Sequence, residues 1–173
     1  MDDLWAHTSA YYKDNGTETV YTSLSISSFC DQSSPRADFP KLKGKGAEAK
    51  DLVPALLSAW QTFADRARED YTLVRHCLVA QSTLQDIISD HQLDMSFPLE
   101  TSDHFMANVD AFLHNDTRLA NLATRDHELL WNIVPKHHWL WHLSRMSKYL
   151  NPKEVTRVRT MISWSASNTC FLV

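Results

Sequence analysis

Glycine is scarce in this chain of 173 residues: three occur, Gly16, Gly44 and Gly46, all in the first quarter. Tight hairpin turns and phosphate-cradling loops both rely on glycine, so a many-stranded β fold and a glycine-rich nucleotide loop have little to be built from. Cysteine is equally sparse. Cys30, Cys77 and Cys170 stand far apart with no C-x-x-C spacing, which speaks against a disulfide framework and against a thiolate zinc site. No apolar run approaches the roughly 18 residues of a membrane span, so no membrane partner is expected. The N-terminus, MDDLWAHTSAYY, has acids where a signal peptide needs a basic segment, and no apolar stretch follows. An intracellular protein is expected, with the nucleus as a candidate compartment. The sequons at Asn15 and Asn115 are then chance matches.

What remains is 43% hydrophobic and 22% charged, the composition of one globular domain that is mostly helix. The formal charge of −4 is unevenly placed: residues 1–40 hold six acids against Lys13 and Arg36, while 41–173 hold fifteen of each sign. Near the C-terminus Arg145, Lys148, Lys153, Arg157 and Arg159 face Glu154 alone. That local excess is a candidate DNA-phosphate contact, or simply a solvated helix face.

Periodicity divides the chain into an N-terminal arm (1–40), a helical domain (41–153) and a C-terminal tail (154–173). The arm mixes Ser, Thr, Asp and Pro with weak alternation and is expected to hold at most one short helix or strand. Leu52, Leu56, Trp60 and Phe63 form an apolar stripe, and Pro54 suggests a short turn over 47–53 with the main helix beginning near the proline. A six- to seven-turn helix follows from Arg66 to about Asp90, carried by Tyr71, Val74, Leu78, Leu84 and Ile88. HQLDMSFPLE (91–100) breaks the pattern and offers Ser or Thr as a cap. Phe105, Val109, Phe112, Ala120 and Ala123 define a third helix over 101–124, and a fourth runs from about Lys136 to Leu150, ending at Asn151-Pro152. The fold class is thus all-α: about four principal helices in an irregular bundle, with a poorly structured arm and tail.

The densest chemistry is PKHHWLWH (135–142). His138 and His142 lie one helical turn apart, the spacing at which two imidazoles can meet a zinc ion. Trp139 follows His138 where H-E-x-x-H proteins carry a glutamate, so no general base accompanies the pair. His76, His91, His104 or Asp90 could supply a third ligand. The alternative is a packed helix in which Trp139, Leu143, Met146 and Leu150 fill the core. Glu48, between Lys45 and Lys50 at a helix start, reads by itself as a charge stabilised by the helix dipole. Asp90-His91 reads as a polar helix end, since adjacent residues do not face each other, and Cys77 lies beside an apolar stripe without an evident base. Cys170-Phe171-Leu172-Val173 fits the bare C-a-a-X prenylation pattern, with an atypical final valine. Trp60, Trp131, Trp139 and Trp164 read as packing residues.

Phe39-Pro40-Lys41-Leu42-Lys43-Gly44-Lys45-Gly46-Ala47-Glu48, followed by Leu52 and Pro54-Ala55-Leu56-Leu57, resembles the K-A-x-E-W-R … P-x-L-L passage of CACTA-like eukaryotic cut-and-paste transposases. Asn132 and Lys136-His137-His138, then His142, Tyr149, Asn151 and Pro152, are similar to a later passage of the same proteins. The span 39–153 resembles more closely an uncharacterised multicopy protein family of dinoflagellate algae. It shares that family's F-P-x-L-K-G-K opening and its K-H-H-x-x-x-H…Y-x-N-P close.

For the transposase group the resemblance implies a ribonuclease-H-like core in which two aspartates and a helix-borne glutamate hold two divalent metals such as Mg2+. Glu48 would be that glutamate. Ala49 and Lys50 depart from the family's Trp and Arg, and the sheet with its two aspartates is not in this sequence. The isolated chain is therefore expected to be catalytically inactive and to need no cofactor. The resulting expectation is a transposase-derived helical fragment that serves as a structural or self-associating element, packs on a transposase catalytic core, or touches DNA weakly. Two alternatives stand beside it: a zinc metalloprotein or hydrolase using His138 and His142, and a stand-alone helical protein-interaction module.

Overall fold

A computed structural model describes residues 2–28, 42, 45–65, 67–127, 131, 133 and 135–149. Among them are five α-helices and no strand: α1 (Asp2–Asp14), α2 (Gly46–Phe63), α3 (Glu69–Asp90), α4 (Leu99–Arg125) and α5 (Pro135–Met146). Short 3-10 turns occupy Ile26–Ser28 and Ser147–Tyr149. The all-α bundle read from the sequence is what the described residues form. Gly44, Cys30, Arg66, Asn132, Leu150 and the whole of 150–173 lie outside the described residues, and with them Lys153, Arg157, Arg159, Trp164 and the Cys170 motif.

The helices pack in chain order, α1 on α2, α2 on α3, α3 on α4 and α4 on α5, with α3 and α4 forming the central and most extensive contact. Their shared seam is the apolar periodicity made solid. Leu73, Val74, Leu78, Leu84 and Ile88 of α3 meet Phe105, Val109, Phe112 and Leu119 of α4, all buried. The connection between them contributes Phe97, stacked on Phe105 with ring centroids 5.5 Å apart.

Three boundaries differ from expectation. The N-terminal arm holds a helix of 13 residues, and it is part of the body: Tyr12, Tyr21 and Leu24 join the core, and His7 Nε2 lies 3.0 Å from Ser58 Oγ on α2. Weak alternation concealed this because α1 covers the bundle with half-buried Leu4, Trp5 and Tyr11 rather than a clean apolar stripe.

Secondly, α2 begins at Gly46 and runs through Pro54 instead of starting there. The proline removes an amide and leaves the Lys50 carbonyl without its helical partner. Burial of Ala49, Leu52, Val53, Ala55 and Leu56 around it outweighs that loss. Pro54→Ala is accordingly expected to raise stability by about 1–3 kcal/mol, read as a higher urea midpoint at unchanged slope.

Thirdly, α4 starts at Leu99 without a Ser or Thr cap: Pro98 occupies the cap position, and its carbonyl accepts the Ser102 amide at 2.8 Å. The Ser102 hydroxyl is used elsewhere, hydrogen-bonding the buried hydroxyl of Ser147 beyond α5.

Candidate functional site

Helix α5 is where the sequence concentrates its chemistry, and its orientation reverses the packing expectation. His137, Leu140 and Ser144 face inward, continued by Ser147 in the following turn. Trp139 is 59% exposed and Met146 51%, while Leu143 is only half-buried. Both stripes, 137/140/144/147 and 139/142/146/149, have helical spacing, so periodicity alone selects neither. Polar partners on α4 decide. His137 meets Asp116 with Nδ1 3.4 Å from Oδ2, Ser147 meets Ser102, and Arg145 spans both carboxylate oxygens of Asp110 at 2.8 Å.

The His137–Asp116 pair is the functional-looking feature that the sequence reading missed. Both side chains are buried, and desolvation works against charge on each, pushing the Asp116 carboxyl up to about 7 and the His137 imidazole down to about 4. A signal for it was present. Asp116 stands four residues from both Phe112 and Ala120, in the register of the α4 core stripe where a carboxylate needs a buried partner. Cys77 lies beside the same carboxylate, its Sγ 3.9 Å from the Phe112 carbonyl. Burial first, and Asp116 second, raise the thiol pKa far above its ordinary value, so no nucleophilic thiolate is available.

His138 and His142 project from the exposed side of α5 with their Nε2 atoms 2.9 Å apart and their rings nearly perpendicular. The spacing expectation holds for these two. No third ligand accompanies them: among the described residues no group of three or more His, Cys, Asp or Glu is arranged to hold a metal. The other candidates lie elsewhere. Asp90, His91 and His104 line an open groove of about 400 Å³ between the end of α3 and the start of α4, and His76 is exposed on α3. His91 pairs with Asp94 at 2.6 Å, not with the adjacent Asp90.

Glu48 sits in the first turn of α2, where its Oε2 accepts the Lys45 backbone N–H at 2.7 Å. This is the helix-start use of a carboxylate, satisfying one of the free donors at a helix N-terminus. Of the basic residues expected to meet DNA, two are described. Arg145 is engaged by Asp110 and lies over the Trp141 ring, and the Lys148 ammonium lies 5.0 Å from the Tyr149 ring centre.

The outer surface of α5 is therefore an aromatic and basic strip: Trp139, Trp141, Met146 and Tyr149 exposed, Arg145 and Lys148 beside them, and no acidic residue from 135 to 149. No protein-family model, no curated protein and no solved structure matches the chain. No helix among the described residues is long and apolar enough to cross a membrane.

Proposed function

We propose that this chain is a non-catalytic helical module that self-associates through the outer face of α5, the structural role foreseen for a transposase-derived C-terminal region. The observation that carries it is the second helical stripe of α5: Trp139, His142, Met146 and Tyr149 recur at three-four-three spacing on the side opposite the core. Such a stripe is the surface one helix offers another. The favoured occupant is a second copy, on charge grounds. Besides Arg145, which Asp110 already holds, the α5 strip carries Lys148 and no acid, while Asp2, Asp3 and Asp14 are exposed on α1, at the other end of the row of helices.

Covering four large side chains that are already part-buried contributes about 4 kcal/mol per partner, about 8 kcal/mol for the pair, against a lowest cost of association of about 4 kcal/mol. The net of about 4 kcal/mol makes the contact weak, with a dissociation constant on the order of 1 mM. Descent from a CACTA-like transposase rests on the sequence resemblance, and in that reading Glu48 is an inherited carboxylate now used at a helix start. Weak DNA contact through Arg145, Lys148, Lys153, Arg157 and Arg159 belongs to the same reading, and Arg145 would have to exchange Asp110 for a phosphate.

The test is a chain carrying Trp139→Glu and Met146→Glu. Both positions are exposed, so the helical circular dichroism is expected to be retained while light-scattering mass stays that of the monomer at every concentration. Association of this variant equal to that of the unaltered chain would place the contact elsewhere and overturn the assignment.

A further inference from the structure

We propose that His138 and His142 form a two-imidazole site for a late first-row divalent metal ion, with tetragonal Cu2+ or Ni2+ preferred to tetrahedral Zn2+. The pair is formed within one chain; His142 also belongs to the outer stripe, so metal binding is read on the monomer. The two rings are one turn apart on a helix fixed to α4 by the His137–Asp116, Arg145–Asp110 and Ser147–Ser102 contacts, so their backbone positions are set before any ion arrives. Both side chains are exposed, which leaves the remaining coordination positions to water.

The pair can bite an ion without backbone movement. At a metal–nitrogen distance of about 2.05 Å, adjacent ligands of a square arrangement are about 2.9 Å apart and tetrahedral ligands about 3.3 Å apart. The Nε2 atoms stand at 2.9 Å as a hydrogen-bonded pair, and small ring rotations reach either spacing, so the preference for Cu2+ and Ni2+ rests on their affinity for imidazole nitrogen. Without an ion, one neutral ring donates its Nε2 hydrogen to the other Nε2. With an ion, both rings take the Nδ1–H tautomer and turn their Nε2 lone pairs to a common point; the donating ring moves its proton from Nε2 to Nδ1, and no net proton is released. Imidazole nitrogen suits these late metals, and the absence of acids from α5 leaves a nitrogen-only protein donor set.

The experiment uses the full chain without a histidine tag, below 10 μM to keep it monomeric, titrated with each metal salt by calorimetry. Copper titrations are followed by electron paramagnetic resonance. One Cu2+ is expected to bind with a tetragonal spectrum split by nitrogen, and Ni2+ is expected to bind more tightly than Zn2+. His138→Asn with His142→Asn should weaken Cu2+ and Ni2+ binding about tenfold or more, while His91→Asn, removing the imidazole paired with Asp94, leaves it unchanged. Since an ion bridging two residues of one turn binds only the formed helix, saturating Ni2+ should also raise the melting temperature of the unaltered chain and not that of the double variant. Equal metal binding by the unaltered chain and the double variant would overturn the site. Tighter binding of Zn2+ than of Ni2+ would overturn the preference. A monomeric chain that binds metal as described leaves the self-association reading to its own test.

Discussion

Replacing Phe105 with alanine is expected to destabilise the fold by about 3–5 kcal/mol, the largest loss foreseen for any single position. Phe105 is fully buried at the α3–α4 seam and stacks on Phe97, which closes the connection between the two helices. Removing the ring forfeits its burial and leaves a void that close-packed neighbours fill only in part. Against a total stability of about 5–15 kcal/mol, that is enough to leave a measurable unfolded fraction near body temperature. Urea unfolding checks it: the midpoint should fall steeply at unchanged slope. A midpoint shift worth less than about 1 kcal/mol would mean that the seam is not where the fold is held.

The second large effect concerns pH. Asp116→Asn is expected to give the protein an acid sensitivity that the intact His137–Asp116 pair conceals. Folded, burial puts the carboxyl at about 7 and the imidazole at about 4; their ordinary values are 3.8 and 6.5. Between about pH 4 and 6.5 the folded pair holds one proton on Asp116, and the unfolded pair also holds one, on His137. Equal proton counts give no slope.

Taken singly the two groups oppose each other. The raised carboxyl contributes stability that is full below pH 3.8 and lost as pH rises through about 7. The lowered imidazole costs stability at low pH, where the unfolded chain takes the proton, and that cost disappears as pH rises through 6.5. With asparagine at 116 only the imidazole remains, and stability should climb by about 3 kcal/mol from pH 4 to 6.5. Urea midpoints of the two chains at pH 4.5, 5.5 and 6.5 decide it, because the difference between them isolates the pair. Curves that run parallel would show that His137 is not held neutral by burial.

The seam of α3 and α4 was readable in the sequence because its stripes are long and unambiguous: Val74, Leu78, Leu84 and Ile88 on one helix, Phe105, Val109 and Phe112 on the other, are buried as their spacing implies. Helix α5 was misread for a physical reason. Its two stripes have the same period, and the more hydrophobic one, Trp139 with Met146, is the exposed one. The choice is made by Asp116, Asp110 and Ser102, residues of α4 whose proximity no local pattern in α5 encodes. Pro54 misled in the opposite direction, since the apolar residues on both sides carry α2 past it. At the candidate site, i, i+4 spacing placed His138 and His142 together, as local geometry should. It could not say whether Asp90, His91 or His104 would join them, and these line the α3–α4 groove instead.

The central claim is that the outer stripe of α5 is covered by a second copy of the chain. Sedimentation equilibrium from about 10 μM to 1 mM reaches the affinity expected from the buried area. The account predicts a weight-average mass that rises from the monomer value of 19.9 kDa with concentration and falls back as added salt screens the α1–α5 charges. A mass that stays at 19.9 kDa throughout contradicts it.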